Sequence, residues 1–126
     1  MTEVNVRPRL ILEDVFDGAM YGFYSLHNNS EVWMTREQIG HALRYKYGRK
    51  AIRDIHKRHF DRVDGHAIMV PIDKGTGGEH QTVLYDQSGI SEICRFSRKK
   101  SADHFMNFVQ KCVNYIMQDD RNKEEF

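Results

Sequence analysis

Residues 33–60 read WMTREQIGHALRYKYGRKAIRDIHKRHF, and this stretch decides the fold because it splits into two short amphipathic helices around an irregular centre. Thr35 is a good N-cap and Gln38 stands three positions later, which predicts a capping box and a helix starting near Arg36. Ile39, Ala42 and Leu43 share one face of that helix, and Gly40 is small enough to let a second helix approach. Residues 45–48 interrupt the period. It resumes with Ala51, Ile52, Ile55 and His59 on one face, while at about 100° per residue Lys50, Arg53, Asp54 and Lys57 fall on the other. The expectation is a helix-turn-helix whose second member presents a basic i, i+3, i+4, i+7 stripe, the spacing suited to a helix in a DNA major groove.

Any surface helix exposes charge, so the local balance matters. Residues 36–62 hold nine basic residues against three acids, an excess of +6 in a chain whose net charge is +1, so the remainder carries −5. This lopsidedness favours an oriented encounter with a polyanion over a merely solvated face.

Working outward, 11–17 and 20–26 read as strands joined by an Asp17-Gly18 turn, residues 27–30 as another turn, and 32–34 as a third strand entering the Thr35 cap. Beyond the helices, strands over 66–73 and 79–85 flank a glycine-rich loop, 74–78, and form a hairpin placed like a wing; Pro71 marks its first strand as an edge. Asp86 to Gly89 resembles a cap before a helix with Ile90, Ile93 and Cys94 inward. After the basic junction 95–100, Ser101 can cap a last helix with Ala102, Phe105, Val109, Cys112 and Ile116 in phase. The fold class expected is α+β: a small antiparallel sheet, a helix-turn-helix, a wing-like β-hairpin and two C-terminal helices. Ile39, Leu43, Ile52, Ile55, Ile93, Phe105 and Val109 should be buried in one core.

At 126 residues, the chain suits one domain, taken as 1–117, with 118–126 a polar tail, either a fraying helix end or the start of a linker. No apolar run reaches the roughly 20 residues of a membrane span and residues 1–10 lack a signal peptide's apolar stretch, so an intracellular protein is expected. Cys94 and Cys112 lack zinc-like spacing and read as buried free thiols. His56 and His59 could share a helix face as metal ligands, but no second pair of ligands accompanies them. The 74–78 loop lacks the ending of a phosphate-binding P-loop, and Asp61, Asp64 and Glu79 have no nucleophile or base pattern around them. Neither a metal, nor a cofactor, nor an enzymatic reaction is expected.

The chain resembles the BRO family amino-terminal domain of bacteriophage antirepressors and baculovirus repeated-ORF proteins. The resemblance lies in WMTREQIGHALRYKYGRKAIRDI and in LYDQSGISEICRFSRKKSADHFMNFVQKCV. Its positions are Trp33; Gly40, Ala42, Leu43 and Tyr45; Lys50, Ala51 and Ile52; Ser88 and Gly89; Ser97 and Arg98; and Ala102 and Phe105. The family often has Asp-Val at Gln38-Ile39 and tryptophan at Phe108. The resemblance implies a DNA-binding regulator of phage gene expression, often with a separate carboxy-terminal domain, or an antirepressor whose target is a repressor protein.

On the DNA-binding reading, Lys50, Arg53 and Lys57 face the groove of double-stranded DNA. Arg49, Arg58, Arg98, Lys99 and Lys100 meet phosphates, and Lys74 is a contact at the tip of the wing. The alternative is a protein-interaction surface for a phage repressor, formed by Tyr21, Phe23, Tyr24 and Tyr47. A homodimer is expected, because one recognition helix covers few base pairs. Its interface would be the stripe Phe105, Phe108, Val109, Val113, Ile116 and Met117, unless that stripe packs on the domain's own core. The cytoplasm of a bacterial host is the expected location.

Overall fold

β2 (Arg9–Phe16) and β3 (Ala19–Ser25) pair antiparallel across a two-residue turn in which Asp17 and Gly18 both take positive φ, 52° and 82°. That handedness matches the twist of the flanking strands, as the Asp-Gly signal implies. The computed structural model describes residues 1–26, 31–73 and 78–124. The 27–30 turn and the hairpin tip at 74–77, including Lys74, therefore lie outside the described residues.

The strand expected over 32–34 departs from its predicted place. Trp33 makes a single bridge to Tyr24, whereas β4 (Met34–Thr35) pairs antiparallel with β6 (Glu79–Tyr85). A four-stranded sheet results, in the order β1-β5-β6-β4, with β1 (Thr2–Glu3) parallel to β5 (Ala67–Asp73). This second sheet is mixed, while β2 and β3 supply the small antiparallel sheet of the expected α+β fold. The hairpin read as a wing is central at its base, covered by β1 on one side and β4 on the other. Pro71 does not mark a fully free edge either: β1 covers β5 at Ile68 and Met69, and Pro71 stands just beyond, in register with Gln81.

Alternation along β5 and β6 sends side chains to two clusters rather than the single core expected. Ala67, Val83 and Tyr85 join the main core; Ile68, Val70 and Leu84 pack with Trp33 on the other side. All seven residues predicted to be buried are in the main core, none more than 4% exposed.

The helix pair is α1 (Arg36–Ala42) and α2 (Gly48–Arg58). Thr35 Oγ1 accepts from the Gln38 amide at 3.2 Å, but the reciprocal arm of the capping box is missing. Gln38 Oε1 instead accepts from the Gly22 amide at 3.0 Å, tying α1 to β3. Helix α1 ends in a Schellman motif: the Tyr45 amide donates to Gly40 O and the Arg44 amide to His41 O, with Arg44 left-handed at φ 66°. Gly40 lets α2 approach as its size suggested, and the surface it meets is the backbone of Gly48.

After the short α3 (Phe60–Val63) and a 3-10 turn at Asp64–His66, the chain passes through β5 and β6 into α4 (Gln87–Ser97) and α5 (Ala102–Glu124). Asp86 Oδ1 caps α4 by accepting from the Gly89 amide at 2.8 Å. Helix α5 runs through Glu124, so residues 118–124 continue it. Its stripe is consumed internally: Phe105, Phe108, Val109, Val113 and Ile116 are buried and Met117 is half-buried against the core. Phe105 and Phe108 pack with Phe16 and Tyr21 at ring separations of 5.0–6.4 Å. The expected dimer interface is therefore core, because the β2–β3 hairpin covers the face that looked surplus. Burial pushes the Cys94 and Cys112 thiols up to about 12 and about 11, in keeping with unpaired cysteines. Among the described residues no helix is long and apolar enough to cross a membrane.

Candidate nucleic-acid interface

The buried side of α2 is held by Ile52 and Ile55, which turns Lys50, Arg53 and Lys57 outward, where all three are exposed. Arg49 and Arg58, exposed too, flank the stripe at opposite edges, as the helical period requires. The stripe contains its own counter-charge: Lys50 Nζ donates to Asp54 Oδ2 at 2.9 Å, a bond that holds the Asp54 carboxyl below its usual range. At the start of α2 there is no side-chain cap and no acid in the first turn, whereas Thr35 and Asp86 cap α1 and α4. Exposed Tyr47 precedes it, with the Lys46 ammonium 5.5 Å from its ring centre. The positive end of the helix dipole thus adds to Lys46, Arg49 and Lys50 instead of being offset by a carboxylate.

His56 fixes the inner side of α2 to the sheet. It is 4% exposed, and its Nε2 lies 2.8 Å from Asp64 Oδ1 while its Nδ1 lies 2.8 Å from Tyr85 Oη and 3.2 Å from Arg36 Nη2. Arg36 Nε also donates to Tyr85 Oη at 2.8 Å. One assignment fits these contacts: a neutral imidazole donates from Nε2 to Asp64 and accepts at Nδ1, whose one lone pair takes the Tyr85 hydroxyl, with Arg36 Nη2 beside it at the longer distance. The arrangement has the parts of an Asp-His-hydroxyl relay, but Tyr85 is 0% exposed, so no substrate can reach its oxygen. The network is structural, and it removes His56 from any metal pair, since His59 stacks on Phe96 instead.

This network makes stability depend on pH. Burial pushes the His56 pKa below 6.5, with Arg36 adding to it and Asp64 opposing it. Burial pushes the Asp64 carboxyl up, but hydrogen bonds from the N-terminal amine and His56 bring it below 3.8. For His56 the unfolded chain holds the proton more tightly, so stability falls as pH drops from 6.5 toward the lower folded value. Asp64 adds a loss only as pH falls through its own depressed pKa. Denaturant titrations at pH 7.5 and about 5.5 should give a lower midpoint in acid, with a shallower dependence in His56→Gln. Equal midpoints for the unmodified chain would contradict a neutral, buried His56.

A second basic area surrounds the loop after α1 and the α4–α5 junction. Tyr45 donates to Ser97 O at 3.1 Å and carries the Lys99 ammonium 4.3 Å from its ring centre, joining the two segments. Lys99 is therefore half-buried on a ring rather than freely exposed, while Arg98 and Lys100 are exposed. Three adjoining hollows meet around Tyr45 and Arg44 and bring together Arg44, Lys46, Arg58, Arg95, Arg98 and Lys100. Asp17, the ion-pair partner of Arg44, is the one carboxylate lining them. Arg44, Lys46 and Arg95 were missed as site residues, although 95–100 was visible as a basic run. What was not visible is that Arg58 and Arg98, 40 positions apart in the chain, line the same groove.

The alternative interaction surface loses half of its residues. Tyr21 and Phe23 are 4% and 0% exposed, because the inner face of the β2–β3 hairpin packs on α5; Tyr24 is half-buried and Tyr47 exposed. Compared with known proteins, the chain matches no family model, no curated protein and no solved structure.

Proposed function

We propose that this chain is a DNA-binding regulator that seats α2 in the major groove of a duplex and grips flanking phosphates with the basic surface around Tyr45. The observation that carries this reading is the gathering of cations on that surface: Arg58 at the end of α2, the loop after α1 and the α4–α5 junction lie together with a single carboxylate lining the hollows between them. Lys50, Arg53 and Lys57 are the groove-facing residues, and Arg49, Arg58, Arg98 and Lys100 the phosphate contacts. No cofactor or catalytic step is part of this function. The likeness to BRO amino-terminal domains supports a role in phage or viral transcription control, antirepressor-like, in the cytoplasm of a bacterial host. Pairing on a palindromic site would use a surface other than the α5 stripe.

Salt dependence tests it. With about four phosphates contacted, duplex affinity should fall about 100-fold between 50 and 200 mM salt. Fluorescence anisotropy with an arbitrary duplex measures this. A purified repressor bound with little salt dependence, and no duplex binding at 50 mM, would favour the repressor-binding alternative through Tyr24 and Tyr47.

A further inference from the structure

We propose that Arg58, Arg95 and Arg98 form a clamp for a single phosphate group in the groove between the C-terminal ends of α2 and α4. The groove has a volume of about 500 Å³ and is also lined by Tyr45, His59 and Phe96. It has room for a phosphate and the sugar that carries it. The clamp rests on the duplex-binding reading only for the source of its phosphate, a backbone phosphate of nucleic acid.

Two features make this a built site. The first is pre-organisation: His59 and Phe96 stack at 3.6 Å with planes 4° apart, and the Arg95 guanidinium carbon lies 5.6 Å from the same ring centre. A guanidinium held on an aromatic ring loses less freedom when it binds the planar edge of a phosphate. The second is that two of the three cations are unmatched. Among the described residues Arg58 and Arg98 make no ion pair, and Arg95 has Glu92 at 3.9 Å, beyond hydrogen-bonding distance. The Glu92 Oε2 atom is itself buried without a hydrogen-bond partner, so that carboxylate pairs with Arg95 without hydrogen-bonding to it.

Backbone conformation separates this clamp from ordinary helix-end compensation. Cations at a helix C-terminus offset its dipole, and Lys57 and Arg58 do this for α2 and Arg95 for α4, so only Arg98 needs another account. Arg98 goes further: it is left-handed at φ 56°, ψ 22°, at the end of α4, a position that favours glycine. If its purpose were only to end the helix, glycine would serve better. Arg44, on the same basic area, is left-handed in the same way at the end of α1.

The Arg98→Gly variant turns this conflict into a test, since it relieves the backbone while removing one arm of the clamp. Titration of the full chain with inorganic phosphate, followed by NMR at the His59 ring and the amides of 95–98, should show saturable shifts that an equal concentration of chloride does not produce. R98G should retain or raise the thermal midpoint, weaken phosphate binding about ten-fold and weaken duplex binding to a similar extent. Lys111→Gln, exposed on α5 and away from the groove, should leave the phosphate titration unchanged. No saturable shift at the groove, or phosphate binding unaltered in R98G, overturns the clamp even if the duplex still binds. Phosphate bound at the groove by a chain that binds no duplex keeps the clamp and overturns the duplex reading.

Discussion

Gly40→Ala should destabilise the protein by about 3 kcal/mol and lower its thermal midpoint by about 10 °C. A Cβ at residue 40 would lie 2.3 Å from Gly48 Cα, 2.5 Å from its carbonyl carbon and 2.6 Å from its oxygen. These are backbone atoms at the start of α2, so no rotamer change relieves the overlap and the two helices must separate. Alanine in a helix interior normally gains up to about 1 kcal/mol over glycine, so a loss here has the opposite sign to the intrinsic preference. Gly48→Ala provides an internal comparison. Its Cβ would meet Gly40 at 3.0–3.1 Å, close but not overlapping, and about 1 kcal/mol is expected. Equilibrium denaturation of both variants checks the ranking; a Gly40→Ala protein as stable as the parent would mean that α1 and α2 are not in backbone contact. Because Ile39 and Leu43 on one side and Ile52 on the other depend on that contact for burial, the loss should extend beyond the turn.

Gly40 shows how the sequence could be read and where the reading ended. Its size announced a close approach, but the partner, Gly48, became identifiable only once the Arg44 turn set the path between them. That turn was hidden because helix stops are sought at glycine or asparagine, and this chain uses arginine at both left-handed stops, residues 44 and 98. Local signals with local partners survived: the Thr35 and Asp86 caps, the Asp17-Gly18 turn and the apolar periods of α2 and α5. Signals whose outcome depends on distant chain did not. Gln38 had a local role available, but the Gly22 amide, 16 residues away, took its oxygen. The hairpin resembled a wing because β1, two residues long, is too short to show a period, and nothing local showed that the strand read at 32–34 would pair with β6. The face of α5 looked wider than one core contact requires because the hairpin that covers it is nearly a hundred residues earlier. At the candidate site, the α2 stripe was legible from period alone. The groove was not, since it depends on packing between α2 and α4.

Arg53→Glu should weaken duplex binding about 100-fold or more without changing the far-UV spectrum. Arg53 is exposed and its substitution removes no buried contact, so the fold should be indifferent. The substitution deletes a cation from the stripe and places a carboxylate in the groove, between two phosphate backbones. The slope of log affinity against log salt should also flatten by about one contact's worth. Asp54→Asn makes the converse prediction on the same helix. Asp54 is the carboxylate that engages Lys50 at 2.9 Å, so neutralising it frees the ammonium and removes the sole negative charge from the stripe. Duplex affinity should rise about five-fold at low salt, with the gain shrinking as salt is added. A general loss of fold lowers binding in both variants, and an interface elsewhere on the molecule leaves both unchanged. Opposite shifts, one weaker and one tighter, are expected only if this face of α2 meets the polyanion. Unchanged affinity in Arg53→Glu, with its spectrum intact, would move the interface off α2.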